Sequence, residues 1–330
     1  MTIIKKVSIP FAAVMLGLAA LGNLLQSYSE GLRAFCGLLA TIFLILCLLK
    51  ICLYPKDIVK DFENPIQASV AATFPMALML LATYLKPLSA PLGLLLWWIG
   101  VLLHILLIVF FTLRFVLKFD LKKVFASWYI VYVGIAVASV SAPAFKQQAF
   151  GTFAAYFGLV TLIILLIVVT IRYIKYPVPE PAKPLICIYA APTSLVIAGY
   201  IQSVANKSKT LVLVLLVVAS ILYIFALVQA IRCLTLPFYP SYAAFTFPFV
   251  ISAIATKQTM KMCALPALKP FVLIETIIAI FIIERITRAH IFQFDRTANV
   301  SGHEFFHLFA VCARRHKELR HALLRAAVSI

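Results

Sequence analysis

The sequence is poor in charge, and in acid above all: 11 Asp and Glu stand among 330 residues, against 29 Lys and Arg. Charged residues make up 12% of the chain and hydrophobic residues 64%, with a mean hydropathy of +1.07. A soluble globular domain needs about a quarter of its residues charged to cover its surface, so that class is excluded. Close cysteine pairs are also lacking. The seven cysteines (Cys36, Cys47, Cys52, Cys187, Cys233, Cys263 and Cys312) are scattered and form no CxxC. This argues against a disulfide framework and against a cysteine-held metal, since a free thiol inside an apolar run behaves as a small hydrophobe. No nucleotide-binding loop or cofactor fingerprint occurs, so no cofactor is expected, no soluble catalytic domain is present and an ATP-driven pump is disfavoured. A net charge of +18 would suggest nucleic acid in a soluble chain. Here the basic residues sit at the ends of apolar runs, where membrane insertion requires them, and nucleic acid is not an expected partner.

What the chain has is apolar runs about as long as a bilayer is thick, roughly 20 residues each. Ten segments follow one another: 7–27, 31–54, 66–85, 89–117, 126–144, 149–174, 184–205, 210–233, 241–260 and 268–287. The fold class is therefore an all-α polytopic membrane protein, with a transmembrane domain over 1–287 and a basic tail over 288–330. The start, Met1-Thr-Ile-Ile-Lys-Lys before Val7, resembles a signal peptide but lacks a small-residue cleavage site, and reads as a retained first helix. Of the 29 basic residues, 21 lie on the N-terminus, the even-to-odd connections and the tail, and 8 on the other connections. That bias predicts a multi-pass protein of the cell inner membrane with both termini cytoplasmic. The sequon Asn206-Lys-Ser208 falls on the predicted outer side and carries little information by itself.

Helix breakers divide the segments into two kinds. Pro10, Pro75, Gly134, Pro192 and Pro248 fall in segments 1, 3, 5, 7 and 9, at intervals of 65, 59, 58 and 56 residues. Small and hydroxyl residues flank them, as in Ala72-Thr-Phe-Pro75, Ala191-Pro-Thr-Ser194 and Phe245-Thr-Phe-Pro248. Such residues let helices approach and re-satisfy backbone groups that a proline frees. Segments 2, 4, 6 and 8 are rich in Leu, Ile and Val, without interior proline, and read as plain lipid-facing helices. An inner ring of kinked odd helices inside an outer ring of plain ones is the expected arrangement. Segment 9, with Phe245, Phe247 and Phe249 crowded at Pro248, is the expected pore-lining helix with an aromatic constriction.

With these motifs in place the chain resembles the tellurite-resistance/dicarboxylate transporter family, which includes the bacterial tellurite-resistance channel homologue and the plant slow anion channels. The likeness rests on the early proline with Gly17-Leu-Ala-Ala-Leu-Gly22, on Trp128-Tyr-Ile-Val-Tyr-Val-Gly134, on Ala191-Pro-Thr-Ser-Leu195 and on Tyr242-Ala-Ala-Phe-Thr-Phe-Pro248, over about residues 7 to 287. The resemblance implies ten helices as five hairpins around a pseudo-fivefold central pore, and a homotrimer. It also implies a pore-plugging phenylalanine on segment 9, which falls on Phe247 by its place in the motif, with Phe245 second. The function it implies is permeation of small inorganic or organic anions across the lipid bilayer. A proton-coupled C4-dicarboxylate or tellurite carrier is the alternative.

Fixed charge is missing from the interior of every odd segment, which suits conduction, because a strong counter-charge would trap the ion. Basic mouths at Lys118, Lys122, Lys123, Lys257 or Lys261 could concentrate anions, although anchoring the topology is the favoured account of any single one. Glu275 and Glu284 in segment 10 are membrane acids: Glu275 is the candidate for proton or ion coupling, with Lys269 as its expected partner, while Glu284 is expected at the interface beside Arg285 and Arg288. His104 in segment 4 reads as hydrogen-bonded packing. In the tail, His303-Glu304-Phe-Phe-His307 matches the zincin pattern, with His316 and His321 nearby, and supports a remote alternative as a membrane zinc metalloprotease. A short amphipathic helix lying on lipid explains the same stretch without a metal.

Overall fold

The computed structural model describes residues 2–296. The His303–His307 motif, His316 and His321 lie outside the described residues. Helices account for the fold, and no strand occurs among the described residues. Eight are long and apolar enough to cross a membrane: α2 (Glu30–Leu53), α3 (Pro65–Leu85), α4 (Ala90–Val116), α5 (Trp128–Phe145), α6 (Gln148–Lys175), α7 (Glu180–Ser203), α8 (Lys209–Cys233) and α10 (Pro266–Phe292). The first and ninth expected spans form helices that fall short of that standard. Helix α1 (Phe11–Leu25) has 15 residues, and helix α9 (Thr246–Cys263) carries Lys257 and Lys261 in its last two turns. Both are shielded by neighbours: every residue of α1 except Asn23 is buried. A helix enclosed by protein needs no lipid-facing stripe, so its own hydropathy understates how deeply it sits. Helix α10 continues to Arg296, past residue 287, where the spanning domain was expected to end.

Burial sorts the spans by parity. In α3, α5 and α7 between 72% and 89% of the apolar window is inside the protein, whereas in α2, α4, α6, α8 and α10 the share is between 22% and 39%. The even helices expose Leu102, Leu106, Ile163, Ile167, Val217, Ile221 and Phe281. So much unpaired apolar surface is tolerable in lipid and not in water. The odd helices pack on one another in a closed cycle: α1 on α3, α3 on α5, α5 on α7, α7 on α9, and α9 back on α1. Each odd helix also packs on the even helix that follows it.

A side-chain hydrogen bond joins every adjoining pair in that cycle. Tyr84 donates to the Ala19 carbonyl at 2.7 Å between α3 and α1. Ser69 meets Ser127, just before α5, at 2.7 Å. Ser203 of α7 donates to the Ser139 carbonyl of α5 at 2.6 Å. Ser194 and Ser252 meet at 3.2 Å between α7 and α9, and Thr246 donates to the Ala13 carbonyl of α1 at 3.0 Å. Van der Waals packing and hydrogen bonds of this kind replace the hydrophobic drive that lipid removes.

Candidate functional site

The breakers interrupt the odd segments by starting a second piece of helix more than by bending a continuous one. Pro192 is the second residue of Ala191–Ser203, which follows a 3-10 stretch over Glu180–Ala190. Pro248 is the third residue of Thr246–Cys263, which follows a 3-10 stretch over Pro240–Phe245. Pro75 is the third residue of Thr73–Leu85, and Pro10 stands just before α1. First-turn N–H groups have no partner within their own α-helix, so proline loses little there and its fixed φ suits a helix start. Gly134 sits in the 3-10 turn Val133–Ile135 that splits α5. A Cβ at Gly134 would stand 2.8 Å from the Met76 sulfur and 3.1 Å from His104 Cε1, so only glycine fits without displacing them. His104 is fully buried, and its Nε2–H donates to the Val131 carbonyl at 2.9 Å, next to that turn. It is packing of the expected kind, serving a carbonyl at the break.

The second pieces begin around a shared cavity. Its wall takes Ala13 and Leu16 from α1, Thr73 and Met76 from α3, Tyr129, Ile130, Val133 and Gly134 from α5, and Ile188, Ala191, Pro192 and Leu195 from α7. The approach to α9 and its first turn add Ala243, Ala244, Phe247 and Pro248. All five broken segments therefore meet there. Of the breakers, Gly134, Pro192 and Pro248 line the cavity while Pro10 and Pro75 lie outside its wall. No charged side chain lines it. Its hydroxyl protons are engaged elsewhere, Thr73 donating to the Val70 carbonyl at 2.7 Å and Tyr129 to the Leu165 carbonyl at 3.3 Å.

The three phenylalanines separate in space. Phe247 is in the cavity wall. Phe245 packs on Tyr242 with ring centres 5.1 Å apart, and Phe249 sets its edge on Tyr223 at 5.4 Å, both away from the cavity. Thr246 anchors the turn that aims Phe247, its hydroxyl reaching the Ala13 and Ala243 carbonyls. Gly17 permits that approach: a Cβ there would lie 2.6 Å from Thr246 Cβ.

The basic residues considered as mouths are partly committed. Lys257 donates to the Leu24 carbonyl at 3.1 Å and to Ser27, with its ammonium 4.6 Å over the Tyr28 ring, and so caps the C-terminal end of α1. Lys123 lies 3.8 Å from Asp120, and Lys122 is 5.6 Å over the Tyr176 ring. Buried or half-buried basic residues at other helix ends act alike. Arg33 donates to the Thr83 carbonyl, Lys50 to the Lys5 carbonyl and Asp57, and Arg172 to the Tyr176 and Pro177 carbonyls. A cation at a helix C-terminus satisfies orphan carbonyls and opposes the dipole, a role that topology counting does not reveal. Glu284 pairs with Arg288 at 2.6 Å. Glu275 is buried against α9 and lies outside the cavity wall.

The serine pairs escaped the sequence reading, although a signal was there. Ser69 and Ser127, like Ser194 and Ser252, are 58 residues apart, the interval that separates Gly134 from Pro192. No curated protein sequence matches the chain. The profile of the voltage-dependent anion channel family, SLAC1, matches residues 6–286, and the chain belongs to that family of multi-pass anion-transporting membrane proteins.

Proposed function

We propose that small anions cross the membrane through a central pore between α1, α3, α5, α7 and α9, closed by Phe247. The ten helices form five hairpins around a pseudo-fivefold axis, with the broken helices inside. The observation that carries this reading is a cavity walled by all five broken segments, with Phe247 in its wall. First turns of α7 and α9 pieces face it, and the positive ends of their dipoles favour anions without fixing one in place. With no fixed charge and few free donors, an ion binds weakly and leaves readily. Apolar walls also disfavour ions that hold their water tightly. Small monovalent anions therefore pass more easily than dianions, and Phe247 blocks by bulk and by dewetting. A homotrimer in the inner membrane with both termini cytoplasmic completes the proposal.

A coupled carrier of C4-dicarboxylates or tellurite is the second reading, and the buried Glu275 carboxyl is the observation in its favour. Reconstituted liposomes separate the two. Fluxes of chloride, nitrate, malate and tellurite are measured side by side over a range of concentration and voltage. The pore reading expects non-saturating flux with nitrate and chloride well ahead of malate. Saturable malate or tellurite uptake with no chloride flux would replace it with the carrier.

A further inference from the structure

His290 stands in the part of α10 that runs past residue 287, and it is 2% exposed. Its ring sits between Phe11, the first residue of α1, at 5.7 Å and Phe238 at 5.0 Å, crossed at nearly a right angle with each. Both ring nitrogens meet backbone carbonyls. Nδ1 lies 3.0 Å from the Ile286 oxygen, one turn back on α10, and Nε2 lies 3.3 Å from the Pro240 oxygen. A carbonyl oxygen only accepts, and a neutral imidazole has one N–H to give. The neutral ring therefore serves one carbonyl and turns a lone pair on the other, whereas the imidazolium serves both. Histidine is also the side chain whose charge ordinarily changes between about pH 5 and 8.

Pro240 is where the route to the gate begins. It opens the 3-10 stretch Pro240–Phe245, which packs on α10 and runs directly into Thr246 and Phe247. Ala243 and Ala244 of that stretch are already in the cavity wall. Pro240 is half-buried, so the contact lies close to the surface that supplies protons. Of the elements packed on α10, α1 and the turn Pro266–Leu268 carry no titratable side chain. Around the 3-10 stretch, Tyr242 donates to the Cys233 carbonyl and Tyr239 to Glu180. Lys257, Lys261 and Cys263 stand at the far end of α9. On α10 itself Lys269 and Glu275 lie several turns away, Arg285 is exposed and Glu284 pairs with Arg288, while Asp295 and Arg296 follow in sequence. We propose that His290 is a proton-binding site that latches the start of the gate segment to α10 and so regulates the Phe247 pore. The nearer carbonyl, of Ile286, holds the N–H of the neutral ring, so the proton adds to Nε2 from water and returns to water, and no other covalent bond changes. Bound, it makes a charge-assisted hydrogen bond to the Pro240 carbonyl and holds the stretch, with Phe247, in the closed position. Released, it leaves lone pairs facing each other and frees the stretch to shift. Acid closes the pore and alkali opens it. The inference rests on the pore reading above.

Two measurements on the full chain in lipid test it. Nitrogen NMR of histidine-labelled protein, with the His290 signals identified by their loss in His290→Gln, expects one lone-pair nitrogen at mildly alkaline pH and two N–H nitrogens at mildly acidic pH. His290 signals that stay the same over that range overturn the site. Nitrate flux in liposomes, with the same buffer on both sides, is expected to be several-fold lower at the acidic pH for the parent and flat for His290→Gln. His290→Phe, which keeps a ring between Phe11 and Phe238, is expected to be flat as well and serves if the glutamine variant does not fold. A parent flux that does not change with pH, or a variant profile that follows the parent, overturns the latch. No flux in the parent or in Phe247→Ala at any pH is instead the failure of the pore reading, and the NMR signals then still decide whether His290 binds the proton.

Discussion

At the scale of single residues, Phe245, Phe247 and Phe249 are near-identical in the sequence and diverge in space. Only Phe247 reaches the cavity, because it stands in the first turn of α9, held by Thr246. Phe245→Ala and Phe247→Ala each remove a buried ring and should cost comparable stability, about 3–5 kcal/mol at a well-packed site. Only the second is expected to raise anion flux, which a paired liposome assay with both variants checks. Gly17 gives a second prediction. Its Cβ position lies 2.6 Å from Thr246 Cβ and 3.2 Å from the Phe247 nitrogen, so Gly17→Ala overpacks the α1–α9 contact by about 1–3 kcal/mol. Thermal unfolding of purified protein in detergent reads this, and Gly31→Ala, where the nearest atom is Ser29 Oγ at 3.5 Å, should leave the midpoint nearly unchanged.

At the scale of helices, the alternation of broken and plain segments was legible, because proline and glycine declare themselves by chemistry. Less legible was how a break is built. Reading Pro248 as a mid-membrane bend ignored that its segment starts in 3-10 form and turns α-helical only at Thr246. By length and hydropathy alone α1 and α9 fall short of a span, although neighbours bury both. The hydroxyl contacts between odd helices left only the shared 58-residue interval as a signal, because a serine carries no other mark of its partner. A double-mutant cycle on Ser194 and Ser252 should give a coupling near 0.6 kcal/mol, the usual value between membrane helices. At the end of α2, the Lys50 ammonium hydrogen-bonds Asp57 and holds its carboxyl below the usual carboxylate range. A lowered value in the folded state contributes stability above about pH 4, the unfolded value, and loses it as pH falls through the folded one. Asp57→Asn should therefore lower the unfolding midpoint slightly at neutral pH and leave it unaltered in strong acid.

At the scale of the whole molecule, the closed cycle of odd helices and the parity of burial support one account, a lipid-facing outer set around an inner set that meets at a cavity. Composition alone carried the membrane class, and the positions of five breakers carried the two-ring expectation. The cavity's lack of free hydroxyl donors was beyond reach, because it depends on where the Thr73 and Tyr129 protons go. The most direct test of the pore is nitrate and chloride flux through Phe247→Ala in liposomes, with Phe245→Ala and the parent alongside. A constitutive leak in Phe247→Ala alone is the predicted result. Equal flux in all three, with the variants folded, would contradict a pore closed by Phe247.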